Sequence, residues 1–315
     1  MNLKTISCRR IYRRFKAKTV GLPSKITVES STICNLKCPS CPTGQEAPGL
    51  SKGFLKFSDF KKLADEIYTF TEGITFSNYG EIFLNPEIFQ IINYATSKNM
   101  LTWSDTNLNH FTLKMAEQLV QVQMTLLNIS IDGATPETYK KYRLNGDFNQ
   151  VLKNIEMINQ AKKKYHSPFP LLKWQFIIFD YNEHEILKAK KMAKQNRMAF
   201  SLKYNWDQSF HQSKNPRYNV INYQKKYKKR YRDECLSLLN SPVINWNGNM
   251  LGCCFLYDEK QHFGNVFENG FKKIYQGERF KKALYYHQKK IQEIATDIPC
   301  ATCPILAEKK KHNEY

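Results

Sequence analysis

Cys34-Asn35-Leu36-Lys37-Cys38-Pro39-Ser40-Cys41 places three thiols within eight residues. The stretch follows Ile26-Thr27-Val28-Glu29, a short alternating run that reads as a strand. Three thiolates from one tight loop can hold three irons of a cubane iron–sulfur cluster and leave the fourth iron open to another ligand. A structural zinc site usually pairs two Cys-x2-Cys knuckles, and no fourth ligand follows closely here. A disulfide framework needs an oxidising compartment and an even cysteine set.

Working outward, strand and helix patterns alternate. Strands are predicted over 73–77, 100–104, 125–131, 171–179 and 200–204. Between them lie helices from Ser58, as N-cap, to about 70, after Pro86, and over 113–122, 148–164 and 183–195. Asn182, with Glu185 three residues on, reads as a capping-box-like start to the last helix. Six such units imply a parallel sheet with right-handed crossovers, too few for a closed eightfold barrel. Ligands then gather at the C-terminal ends of the strands.

The chain has 315 residues, 42% of them hydrophobic, enough for one large and one small unit. Its net charge is +20 and its pI about 9.5. That balance favours acidic partners, although dispersed lysines are commonly solvated helix faces. Arg9, Arg10, Arg13, Arg14, Lys16 and Lys18 alternate with Ile11, Tyr12 and Phe15. They suit either an amphipathic helix on a membrane or partner, or a short helix capping the main unit. Residues 207–234 form a basic linker in which Tyr223, Tyr227 and Tyr231 interleave with lysine and arginine. RNA binding is a weaker reading of it than a solvated face. Nine cysteines grouped as a triplet, pairs and singles suit metal ligation in a reducing cytoplasm. No apolar run reaches the roughly eighteen residues of a membrane span, and the N-terminus shows no signal-peptide core.

A second cysteine group begins at Cys235. Twelve residues separate it from Gly248, and four more lead to Cys253 beside Cys254; Cys300 and Cys303 close the set. Residues 242–251 read as a hairpin around Asn247-Gly248. Four thiolates of this kind suit a fully ligated cluster or a tetrahedral zinc.

The triplet resembles the signature of the radical S-adenosylmethionine (radical SAM) superfamily, except that Ser40 stands where that family is often aromatic. Further resemblances lie in Asn78-Tyr79-Gly80-Glu81, where small residues usually precede the glycine, and in Thr106-Asn107, where Leu108 replaces a usual glycine. The stretches 128–139, 142–146, 174–178 and 182–186 follow the same family. The second group resembles the auxiliary-cluster region of SPASM/Twitch members. The likeness implies an α/β fold: a partial (β/α)6 barrel over 25–206, a basic extension over 1–24 and a small iron–sulfur unit over 235–315. It implies a 4Fe–4S cluster on Cys34, Cys38 and Cys41, and S-adenosylmethionine beside Gly80, Glu81, Ser130 and Arg143. An auxiliary 4Fe–4S cluster is implied on Cys235, Cys253, Cys300 and Cys303, with Cys254 competing for the place of Cys253. A single auxiliary cluster is expected because the chain carries too few cysteines for a second. Asp132 would order its loop or meet substrate, and His184 is read as structural. A flavodoxin- or ferredoxin-like electron donor is also implied.

The short N-terminus points to a sugar, aminocyclitol or nucleotide-sugar as substrate, undergoing dehydrogenation or epimerisation. Maturation of a ribosomal peptide is the alternative. From another class, a non-catalytic zinc- and nucleic-acid-binding protein also accounts for the charge and the cysteine groups.

Overall fold

The computed structural model describes residues 3–207, 209–219, 235–288 and 296–303, without the side chains of 3–10, 236 and 288. The basic tyrosine-rich stretch over 220–234 and the side chain of Cys8 therefore lie outside the described part.

Seven strands build one parallel sheet. They are β1 Lys25–Val28, β2 Gly73–Thr75, β3 Leu101–Thr106, β4 Leu126–Ser130, β5 Leu171–Ile178, β6 Ala199–Tyr204 and β7 Val243–Ile244. Their order is β6-β5-β4-β3-β2-β1-β7, an open sheet consistent with a partial barrel. The first six follow the expected units. The seventh joins from beyond the linker, with Thr27 opposite Val243 and Val28 opposite Ile244. The expected hairpin survives only as a tight turn, with a single antiparallel bridge from Ile244 to Met250. Its first strand lies parallel to β1 instead.

The helices up to residue 207 are α1 Leu3–Thr19, α2 Phe57–Ile67, α3 Ile88–Ser97, α4 Leu113–Gln121, α5 Pro136–Tyr142, α6 Phe148–Lys164 and α7 Ile186–Gln195; short helices follow over Leu236–Asn240, Val266–Asn269 and Phe271–Tyr275, with a longer one over Glu278–Gln288. In α2, Phe60, Leu63, Ala64 and Ile67 recur at helical spacing and are all buried. Each large side chain so buried contributes about 1.5–3 kcal/mol. Ser58 does not cap this helix; Lys56 is its N-cap, and the Glu87 carboxylate takes the Phe57 N–H at 2.8 Å. Thr112, Thr135 and Asp147 cap α4, α5 and α6 through their own side chains.

Asn182 and Glu185 form no capping box either. Asn182 Oδ1 accepts from Phe179 N at 2.8 Å, and its amide donates to the Asp132 and Ile177 carbonyls. Glu185 accepts from Ala134 N at 2.7 Å and from the Thr138 hydroxyl. Both residues tie the exit of β5 to the exit of β4. His184 is exposed.

The N-terminal helix caps the barrel floor. The Arg13 guanidinium donates to the Asn99 carbonyl at 2.7 Å and to the Lys98 carbonyl at 2.8 Å, just before β3 begins. The helix thus lies at the end of the sheet opposite the cysteine loop. Ile11, Tyr12 and Phe15 stay exposed.

Candidate active site and auxiliary cysteine site

The loop leaving β1 carries Cys34, Cys38 and Cys41 over the C-terminal ends of the strands. All three line a cavity of about 210 Å³ together with Glu81, Ser130 and Arg143. Three backbone devices hold it open. Gly80 lies against the Ser31 peptide, where a Cβ would sit 1.8 Å from the carbonyl oxygen, so no other residue fits. Leu108 keeps a left-handed φ of 52° while fully buried, where the family usually has glycine. Such a conformation costs a non-glycine residue on the order of 1 kcal/mol. Glu81 accepts from the Thr106 hydroxyl at 2.6 Å, Asn107 N at 2.7 Å and Phe83 N at 3.2 Å, closing the β2 exit onto the β3 exit. Burial raises its pKa; an ammonium arriving in the cavity would offset that burial and favour the carboxylate.

Asn107 donates to Asn35 Oδ1 at 2.9 Å and reaches Cys34 Sγ at 3.5 Å. Arg143 is fixed by Asp132, whose Oδ2 accepts from Nε at 2.7 Å and pairs with Nη2 at 2.5 Å. Its Nη1 stands 3.6 Å from Cys38 Sγ. Asp132 also accepts from Ile177 N at 2.6 Å, which ties its loop to β5. Ser130 accepts from Gln175 at 3.3 Å. Beneath the thiols, Leu36, Tyr142, Ile177 and Phe179 form a separate apolar cluster. Burial pushes the Cys34 thiol up to about 12 and raises Cys38, which the Arg143 charge partly offsets. Buried neutral thiols are donors that cationic iron converts to thiolates.

Two residues that the sequence reading left unassigned belong to this region. Trp206 lines the same cavity although it is 45% exposed. Its neighbour Asp207 accepts from Ser40 Oγ at 2.6 Å. Glu29, fully buried at the end of β1, accepts from Asn78 N at 3.1 Å and from Tyr79 N. Its other oxygen has no partner, and burial pushes its pKa up to about 7. In the sequence Glu29 looks like the polar member of an alternating strand, and Trp206 like the start of the linker.

The second group converges across the fold. Cys235, Cys253, Cys300 and Cys303 line one cavity of about 260 Å³, with Phe255, Tyr257 and His287 among its walls. The Cys254 thiol lies 3.7 Å from Ser237 Oγ. Cys253 is pushed up to about 12, first by its contact with Cys235, and burial raises Cys300. Cys34, Cys38, Cys41, Cys235, Cys253, Cys300 and Cys303 form no disulfide. Among the described residues no three His, Cys, Asp or Glu side chains close on a single-ion position. The thiols ring two cavities instead, and in donor chemistry both sets fit iron–sulfur cores. Among the described residues no helix is long and apolar enough to cross a membrane.

Residues 28–193 match the Radical SAM superfamily, and residues 235–304 match SPASM, an iron–sulfur cluster-binding domain. The AdoMet-dependent heme synthase of Methanosarcina barkeri is 29% identical over 174 residues, 55% of this chain and 48% of that protein. The antilisterial bacteriocin subtilosin biosynthesis protein AlbA of Bacillus subtilis is 26% identical over 285 residues, 81% of this chain and 60% of its own length. The chain therefore spans about half to three fifths of these two relatives. The crystal structure of Streptococcus suis SuiB bound to S-adenosylmethionine shares the fold, with a TM-score of 0.68 and 14% identity over 93% of this chain and 74% of SuiB. The chain belongs to the radical SAM superfamily, as an enzyme with a SPASM-type C-terminal domain whose cofactors are 4Fe–4S clusters and S-adenosylmethionine.

Proposed function

We propose that this enzyme matures a peptide substrate. The observation that carries this reading is the extent of the likeness to AlbA. At 81% of the chain it cannot be confined to residues 28–193, whereas the heme synthase alignment covers 55%. The sugar, aminocyclitol or nucleotide-sugar substrate expected from the sequence has no counterpart in the activities of these two relatives.

In this reading Cys34, Cys38 and Cys41 hold the catalytic cluster. Cys235, Cys253, Cys300 and Cys303 hold the auxiliary one. Bound together, catalytic cluster and S-adenosylmethionine supply a 5′-deoxyadenosyl radical for hydrogen abstraction, with the electron drawn from a flavodoxin- or ferredoxin-like protein. Arg143, locked by Asp132, presents a fixed cation to the methionyl carboxylate. Glu81 faces the ammonium, and Gly80 keeps the backbone close. Ser130 meets the ribose or carboxylate. Trp206 supplies from the loop after β6 the ring that position 40 lacks, and Ser40 pins that loop through Asp207. The apolar cluster under Cys38 keeps water from the reacting atoms. A dehydrogenative outcome, two hydrogens lost per crosslink, fits better than epimerisation, because a second site, of four cysteines, would take up the electron left on the substrate radical. The division at 206 and 235 describes the two functional units, although β7 shares the catalytic sheet.

The test is anaerobic reconstitution with dithionite, S-adenosylmethionine and a peptide encoded beside the gene. Faster 5′-deoxyadenosine release and a peptide lighter by two hydrogens per link are expected. Stimulation by a sugar or aminocyclitol and not by peptide would return the substrate to the earlier expectation. A colourless protein holding stoichiometric zinc would end the enzymatic reading.

A further inference from the structure

Tyr79 departs from the family pattern, and its side chain does something a small residue cannot. It leaves the exit of β2, lines the catalytic cavity, and donates its hydroxyl hydrogen to the Cys254 carbonyl. Its ring meets Tyr257 edge to face, with centroids 6.1 Å apart. Tyr257 and Cys253 line the other cavity. At its own backbone Tyr79 accepts from the Cys41 thiol at 3.8 Å and gives its N–H to Glu29. One residue therefore touches the catalytic loop with its main chain and the auxiliary cysteine turn with its side chain.

The neighbours of Tyr79 are held firmly on the catalytic side. Glu81 N donates to the Ile33 carbonyl at 2.9 Å, Asn78 N to Glu29, and Gly80 abuts Ser31. A further anchor of this segment reaches across to Cys254. We propose that Tyr79 is a positioning residue coupling the two cysteine sites: closure of the Cys253–Cys254 turn on the auxiliary cluster sets the placement of the Asn78–Glu81 segment that faces S-adenosylmethionine. This rests on the cluster assignment made above.

A double-mutant cycle on the anaerobically reconstituted full chain tests it. Tyr79→Phe keeps the ring and removes the donor. Cys300→Ala, with Cys303→Ser as a second cut, opens the auxiliary site without touching Tyr79. Without reductant there is no turnover, so equilibrium dialysis reads the dissociation constant of S-adenosylmethionine directly. Iron content is measured on the same samples. Tyr79→Phe should weaken binding about three- to tenfold, the scale of one hydrogen bond. Cys300→Ala should lose about four of roughly eight irons and weaken binding by a similar factor. The double variant should bind no more weakly than the weaker single one. Wild-type affinity in Tyr79→Phe, or factors that multiply in the double variant, overturns the coupling while leaving the cluster assignment standing. Full iron in both Cys300→Ala and Cys303→Ser overturns the assignment itself, and the coupling with it.

Discussion

The two cysteine sites are built in opposite ways. The candidate catalytic one draws three thiols from a single eight-residue loop, and its polar walls come from the ends of β2, β3 and β4 with Arg143 behind them. The second gathers four thiols spread from Cys235 to Cys303, walled by Phe255, Leu256 and Tyr257 but also by Asp258, Gln261 and His287. Near the first stands a fixed guanidinium. At the second, contact with Cys235 raises Cys253 and burial raises Cys300. A local site is fixed by the strand it leaves. A dispersed site depends on the whole fold being in place, and its metal ties the late part of the chain to the early part.

Removing one ligand from each site tests this contrast most severely. Cys34→Ala should reduce 5′-deoxyadenosine formation to background, because no other thiol on that loop can replace it. Cys300→Ala should retain about half the iron and some uncoupled cofactor cleavage, with no product; full turnover would refute the auxiliary role. Next in size, Trp206→Ala should raise the dissociation constant for S-adenosylmethionine about tenfold, the scale of a lost aromatic contact. Trp206→Phe should recover most of it, and Ser40→Tyr in the Trp206→Ala background should recover part. Unchanged binding in Trp206→Ala would remove that ring from the cofactor's wall.

The last effect concerns Glu29 and is read in stability, with cofactor binding untouched. Its carboxyl is raised from 4.5 to about 7 on burial. The folded state therefore holds a proton that the unfolded chain has released. Stability falls as pH rises from about 4.5 to about 7 and stays lowered above, by on the order of 3 kcal/mol at most. Glu29→Gln should melt with the wild type at pH 4.5 and a few degrees above it at pH 8. The reverse order would mean that the carboxylate is stabilised in place.

The alternation of strands and helices was plain in the sequence because buried faces recur at periods of two and 3.6. The triplet was plain because its ligands are neighbours in the chain. What escaped was set by register between distant segments. Asp132 and Glu185 look like loop and cap residues, yet each bonds a backbone N–H on another segment. Ser58 looks like a cap, yet the helix already begins at Phe57, whose N–H goes to Glu87 from the next unit. The two-residue β7 has no periodicity to read, and its partner is β1. Trp206 matters only because the β6 exit swings it over the cysteine loop.

That β1–β7 pairing bears on how the protein is made. The ribosome emits the catalytic triplet early and Val243–Ile244 more than two hundred residues later, as Val28 and Ile244 mark. Throughout that interval β1, from which the triplet springs, is the raw border of a growing sheet, open to misdirected pairing with other nascent chains. Sealing of that border thus waits on Val243 and Ile244, long after β1 has left the ribosome.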